Sequence, residues 1–152
     1  MKIAIFAALF VCSLTTQAFG KSPEVSSVYA TTSNGSNASG IFTPGDDIRI
    51  IVEFSSPVNL IGTPQLKLET GDVDRVSETS WLGGSGLAIV FQYIVRQGDV
   101  NKDLDYVSTS ALLLNGAQIT DLNGDPVVLQ LPAPGTSGSL SYNNDIVIGM
   151  LP

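Results

Sequence analysis

The run from Ile48 to Phe54 narrows the fold more than any other stretch. Ile48, Ile50, Val52 and Phe54 point one way, while Arg49, Glu53 and Ser55 point the other. That period of two is the signature of a half-buried strand. It recurs in Leu66 and Leu68 against Gln65, Lys67 and Glu69, and in Val127, Leu129 and Leu131. It recurs again in Leu87, Ile89, Phe91, Tyr93 and Val95, whose opposite face (Ala88, Val90, Ile94) is also apolar and so predicts a central strand. No stretch holds a helical period between two caps.

The punctuation agrees. Pro44-Gly45-Asp46 turns the chain into the Ile48 strand, Pro57 is expected to end it, and Thr63-Pro64 starts the next. Gly83-Gly-Ser-Gly86 reads as a hairpin turn after a weaker strand from Arg75 to Leu82. Val25 to Ala30 is extended, with a slip in apolar spacing between Val25 and Val28 that predicts a bulge. Leu104–Val107, Ala111–Leu114, Leu140 with Tyr142, and Ile146 with Ile148 complete the extended regions. The expected fold is an all-β sandwich of about seven to nine antiparallel strands.

At 152 residues one domain is expected, and 43% hydrophobic with 14% charged residues describes a globular chain. The N-terminus reads as a secretory signal over 1–20: basic Lys2, a short apolar run from Ile3 to Leu14, then Ala18-Phe19-Gly20 with small residues at −3 and −1. Cleavage after Ala18 and an uncleaved anchor are the competing readings. Cys12 is discounted for lipidation because Leu9-Phe10-Val11 is bulky. The remainder, 21–152, forms the single domain. It has no Cys and no His, which excludes disulfides, thiolate metal sites, a cysteine nucleophile and the commonest general base. Loss of Lys2 leaves 6 basic against 14 acidic residues, a net charge of −8. Such a surface repels phosphate backbones, so nucleic acid is not an expected partner. No second apolar segment follows, so no membrane insertion is expected after cleavage. The expected location is secreted, extracellular or at the cell surface, with the periplasm as an alternative.

Several stretches carry a family resemblance: Gly62-Thr-Pro-Gln-Leu-Lys-Leu-Glu-Thr-Gly71, Gly-Ser-Gly86, Gln97-Gly-Asp99, Asp103-Leu-Asp-Tyr-Val-Ser-Thr-Ser-Ala-Leu-Leu-Leu-Asn-Gly116, Ile119-Thr-Asp-Leu-Asn-Gly124 and Leu129-Gln-Leu-Pro-Ala-Pro-Gly135. In this order and spacing they resemble the tandem bacterial immunoglobulin-like, cadherin-like modules of large secreted surface proteins and adhesins. The likeness covers about Pro23 to Ile148. It implies an immunoglobulin-like β-sandwich of about 100 residues used as a spacer or adhesive module, with an unknown protein or glycan partner at the cell surface. Two departures stand out: the chain holds one copy, and Gly124-Asp125 stands where the family commonly has Gly-Asn.

Two acidic turn clusters are the candidate metal sites: Asp99, Asn101, Asp103 and Asp105, then Asp121, Asn123 and Asp125. Oxygen ligands at alternate positions on a tight loop suit calcium, which takes six to eight of them. Neither is an EF-hand, since Leu104 stands where Gly is needed and Ser110 or Pro132 where the bidentate Glu belongs. The competing reading is turn chemistry, with Asx side chains bonded to local backbone N–H groups. Asp46, Asp47, Asp72 or Asp74 could join from neighbouring loops. No catalytic or cofactor-binding residue is assigned and no enzyme activity is expected, because no motif marks a nucleophile and nothing marks a cleft between paired carboxylates. The alternative to adhesion is a carbohydrate-binding module that stacks sugar on Trp81, Tyr93, Tyr106 or Tyr142.

Overall fold

The computed structural model describes residues 20–79 and 83–149; all of the expected 1–20 signal segment except Gly20, and Trp81, lie outside them. Among the described residues nine strands and one helical turn follow in order: β1 (Val25–Thr32), β2 (Gly40–Phe42), β3 (Asp47–Ile61), β4 (Gln65–Leu68), β5 (Arg75–Thr79), β6 (Gly83–Ile94), β7 (Leu112–Leu113), β8 (Gln118–Asp121), α1 (Leu140–Asn143) and β9 (Ile146–Ile148). An antiparallel sheet runs β1-β3-β6-β5-β4-β7, with β8 on the far half of β3; β2 and β9 form a separate parallel pair. The architecture is an all-β sandwich.

Its interior is the apolar set that the alternation marks. Ile48, Ile50, Val52 and Phe54 of β3 and Ile89, Phe91 and Tyr93 of β6 share one core with Leu66, Leu68, Leu104, Tyr106, Leu140, Ile146 and Ile148, and Leu129 packs against its edge. β6 lies between β3 and β5, as its two apolar faces predict. The register of β1 on β3 shifts between Val25 and Ser27, where the apolar spacing slips.

Four expectations give way. β3 does not stop at Pro57 but runs on to Ile61, because its ladder with β6 breaks between Glu53 and Val58. Pro57 falls in that break, where no ladder N–H is required. Gly83–Gly86 is strand, not turn, pairing with Val58–Ile61. A Cβ at Gly83 (φ +149°) would lie 2.9 Å from the Leu60 carbonyl oxygen, so the glycine serves close strand approach. Leu140 and Tyr142 are not extended: Ser139 caps a single helical turn, and its side chain accepts from the Tyr142 N–H. Leu104–Val107 and Val127–Leu131 form isolated bridges, Leu68 with Tyr106 and Glu24 with Val128, rather than strands.

The outer edge of β1 is sealed by a side chain. Asn144, 2% exposed, accepts from the Ala30 N–H at 2.8 Å and donates to the Ala30 and Ala38 carbonyls at 2.9 and 2.8 Å. One amide thus takes the place of a neighbouring strand and leaves that stretch of edge closed to other chains.

Candidate functional site

The first acidic loop follows β6 and crosses back over the end of the sandwich. Arg96 to Asp99 is a turn, with the Asp99 N–H on the Arg96 carbonyl at 3.1 Å. The Asp99 carboxylate, 1% exposed, then collects donors from three places. Oδ1 takes Arg75 Nε at 2.7 Å; Oδ2 takes the Tyr93 hydroxyl at 2.7 Å and the Arg96 N–H at 3.0 Å. Burial alone would raise this carboxyl, but the three donors and the Arg75 charge outweigh it and hold it below its ordinary value. The Tyr93 phenol is pushed far up, by burial first and by Asp99 next.

From Val100 the loop is stitched to distant backbone. The Val100 N–H donates to the Thr70 carbonyl, and Asn101 exchanges both backbone bonds with Ile148 of β9. Asn101 bridges with its side chain too, donating to the Glu69 carbonyl at 2.7 Å and accepting from the Asp103 N–H at 2.9 Å. Gly149 (φ +71°) is required beside this loop, since a Cβ there would overlap the Asp99 carbonyl oxygen.

Asp105 turns inward as well, at 7% exposed. Its Oδ2 accepts from the Ser141 hydroxyl at 2.7 Å, the Gly135 N–H at 3.0 Å and the Ser141 N–H at 3.3 Å. Tyr106 beside it donates its hydroxyl to the Pro132 carbonyl at 2.6 Å. Burial, then the Asp105 charge, lifts that phenol well above its usual range. Asp103 is exposed and does not share the inward position of Asp105. Partial desolvation, then the carboxylates of Asp145 and Asp105, raise its carboxyl.

The second cluster is local. Asp121 Oδ1 accepts from the Asn123 and Asp125 N–H groups, both at 2.8 Å, and Oδ2 from Asn123 Nδ2 at 3.3 Å. The Asp121 N–H meets the Asp125 carbonyl at 2.8 Å, closing a turn through Gly124 (φ +91°). The Asp125 N–H leads the causes that hold the Asp121 carboxyl below its ordinary value.

The two clusters sit toward opposite ends of β3. Asp121 pairs with Val58, whereas Asp47 pairs with Ile94, just before the first loop. Eleven residues of strand, about 35 Å, separate those positions. The neighbouring carboxylates are engaged separately: Asp46 with the Thr43 N–H and hydroxyl, Asp47 with Gln92, Asp74 with Lys67; Asp72 lies in the 71–73 bend. Among the described residues no group of three or more Asp, Glu, Cys or His side chains is placed to hold a metal ion. Tyr93 and Tyr106 are interior, at 3% and 1% exposed, while Tyr142 is 63% exposed. Among the described aromatics named for stacking, two are therefore turned away from solvent.

Spacing in the sequence finds both acidic turns but does not reveal the partners of the first. Arg75, Tyr93 and Ser141 stand 24, 6 and 36 residues from the carboxylates they meet, and no local pattern links them. Among the described residues no helix is long and apolar enough to cross a membrane. No family model, no curated protein and no solved structure matches this chain.

Proposed function

We propose that the chain is a non-catalytic, secreted immunoglobulin-like module that serves adhesion or cell-surface structure. The observation that carries this reading is the use made of the buried carboxylates. Asp99 and Asp105 spend their oxygens on Arg75, Tyr93, Gly135 and Ser141, tying loops to the sandwich. A catalytic carboxylate needs instead a free face toward a substrate. What remains is a β-scaffold whose other described acidic side chains are half-buried or exposed, a form suited to spacing or contact.

The test is binding without turnover. The purified chain, coated on beads, is expected to be retained on cell surfaces or immobilised glycans. It is expected to leave panels of glycan, peptide and ester substrates unchanged. Turnover abolished by a single Asp or Glu substitution would overturn the reading. Calcium, as a rigidifying ion on the acidic loops, is a separable clause. A ligand that binds only the folded state raises the melting midpoint, so a midpoint that is the same in chelator and in millimolar calcium removes that clause and leaves the rest.

A further inference from the structure

β5 and β6 pair through Glu78 with Gln92 and Thr79 with Phe91, and toward Arg75 they part. At the fork the Ser77 hydroxyl donates to the Gln92 carbonyl at 2.7 Å. A cleft of about 500 Å³ opens there, lined by Arg75, Glu78, Gln92, Ile94 and Arg96 among others. This volume falls within the range of small-ligand pockets.

The cleft is lined by two guanidinium groups. The sequence has three arginines. Arg75 and Arg96 line the cleft, and Arg49 pairs with Gln92 across β3 and β6. The acidic groups close by are already engaged: Asp99 by Arg75, Tyr93 and the Arg96 N–H, Glu78 by Gln65 at 2.8 Å, Asp47 by Gln92 at 2.9 Å. Arg75 is held by its Nε, which leaves its terminal amino groups for another acceptor. Among the described residues the Arg96 side chain has no hydrogen-bonding partner. The unspent donors of the cleft are therefore guanidinium groups.

A chain of net charge −7 repels anions at long range. An anion stays only where directional pairing overcomes that repulsion, and guanidinium with carboxylate supplies such a fork-to-fork bond. The rim adds one acceptor, the second carboxylate oxygen of Glu78, whose first oxygen takes Gln65; a hydroxyl group satisfies it and a further carboxylate does not. One carboxylate surrounded by hydroxyls describes a uronic acid.

We propose that the cleft between β5 and β6 binds a uronic acid residue of an acidic glycan, with its carboxylate on Arg96 and Arg75. The inference rests on the reading of the chain as a binding module, and names its ligand. The full chain, labelled with ¹⁵N, is titrated with digalacturonic acid, with its methyl ester and with sodium sulfate. Saturable shifts of the Val76, Glu78, Ile94 and Arg96 amides are expected with the acid. The ester and Arg96→Gln should each weaken binding roughly tenfold or more. Arg96→Gln keeps the backbone N–H that serves Asp99. Should that variant fail to fold, Arg96→Lys makes the same comparison, with a smaller loss expected. No saturable shift, shifts elsewhere, equal binding of ester or sulfate, or undiminished binding by the folded variant would overturn the proposal. If bead retention on cells persists while the titration is flat, the glycan inference falls and the adhesive reading stands. Turnover of the digalacturonic acid would reject both.

Discussion

The loops at Asp99–Asp105 and Asp121–Asp125 look alike in the sequence and do different work. Both place Asp and Asn at alternate positions, with Asp121-Leu-Asn123-Gly-Asp125 repeating the spacing of Asp99-Val-Asn101-Lys-Asp103. In the first, two carboxylates are buried and bonded to residues up to 36 positions away. In the second, every side-chain bond of Asp121 ends within four residues. The carboxylates of the first tie distant segments together; the Asp121 carboxylate of the second shapes only its own turn. An acidic turn motif therefore states a local geometry, and burial decides whether that geometry is structural.

The largest effect expected from this contrast is that of Asp99→Ala. It strands the buried Tyr93 hydroxyl and leaves the half-buried Arg75 guanidinium without its carboxylate, and chemical denaturation should show a loss of about 3 kcal/mol. Asp105→Ala removes one acceptor from Gly135 and Ser141, and the same measurement should show about 2 kcal/mol. Both numbers collapse toward zero if the two loops are equivalent.

Acid sharpens the comparison next. The folded carboxyl of Asp99 lies below its unfolded value of 3.8, so its contribution is fully present above that pH and is lost as pH falls through the folded value. Asp103 works the other way: its raised carboxyl makes protonation stabilising as pH falls through its folded value. Denaturation midpoints measured from pH 5 down to pH 2 should fall for the native chain and fall less steeply for Asp99→Asn. The smallest effect is that of Asp121→Ala. It should move the denaturation midpoint less than Asp105→Ala does, while hydrogen exchange at the Asn123 and Asp125 amides speeds up.

Much of the scaffold is legible in the residues because a half-buried strand must alternate. Ile48, Ile50, Val52 and Phe54, Leu66 with Leu68, and Ile146 with Ile148 are inward in the sequence pattern and inward in the sandwich. The bulge near Val25 is legible for the same reason, since a slipped apolar period requires a slipped register. What escapes the pattern depends on partners elsewhere in the chain. Gly83–Gly86 reads as a turn until the close approach of Leu60 makes glycine a strand requirement. Leu140 satisfies an extended pattern and a one-turn helix equally well, and the Ser139 cap decides between them. The inward turn of Asp105 and the sealing of β1 by Asn144 rest on contacts 36 and 114 residues apart. The fork of β5 from β6, and with it the arginine-lined cleft, follows from strand divergence that periodicity does not encode.

A double-mutant cycle on Asp99 and Tyr93 tests the division between the two loops most directly. Asp99→Asn, Tyr93→Phe and the double variant are unfolded by denaturant beside the native chain. Inward anchoring predicts a coupling of about 1 kcal/mol or more between the two sites. Losses that simply add would show that Asp99 is no anchor, and the distinction between the buried and the exposed acidic turn would fail.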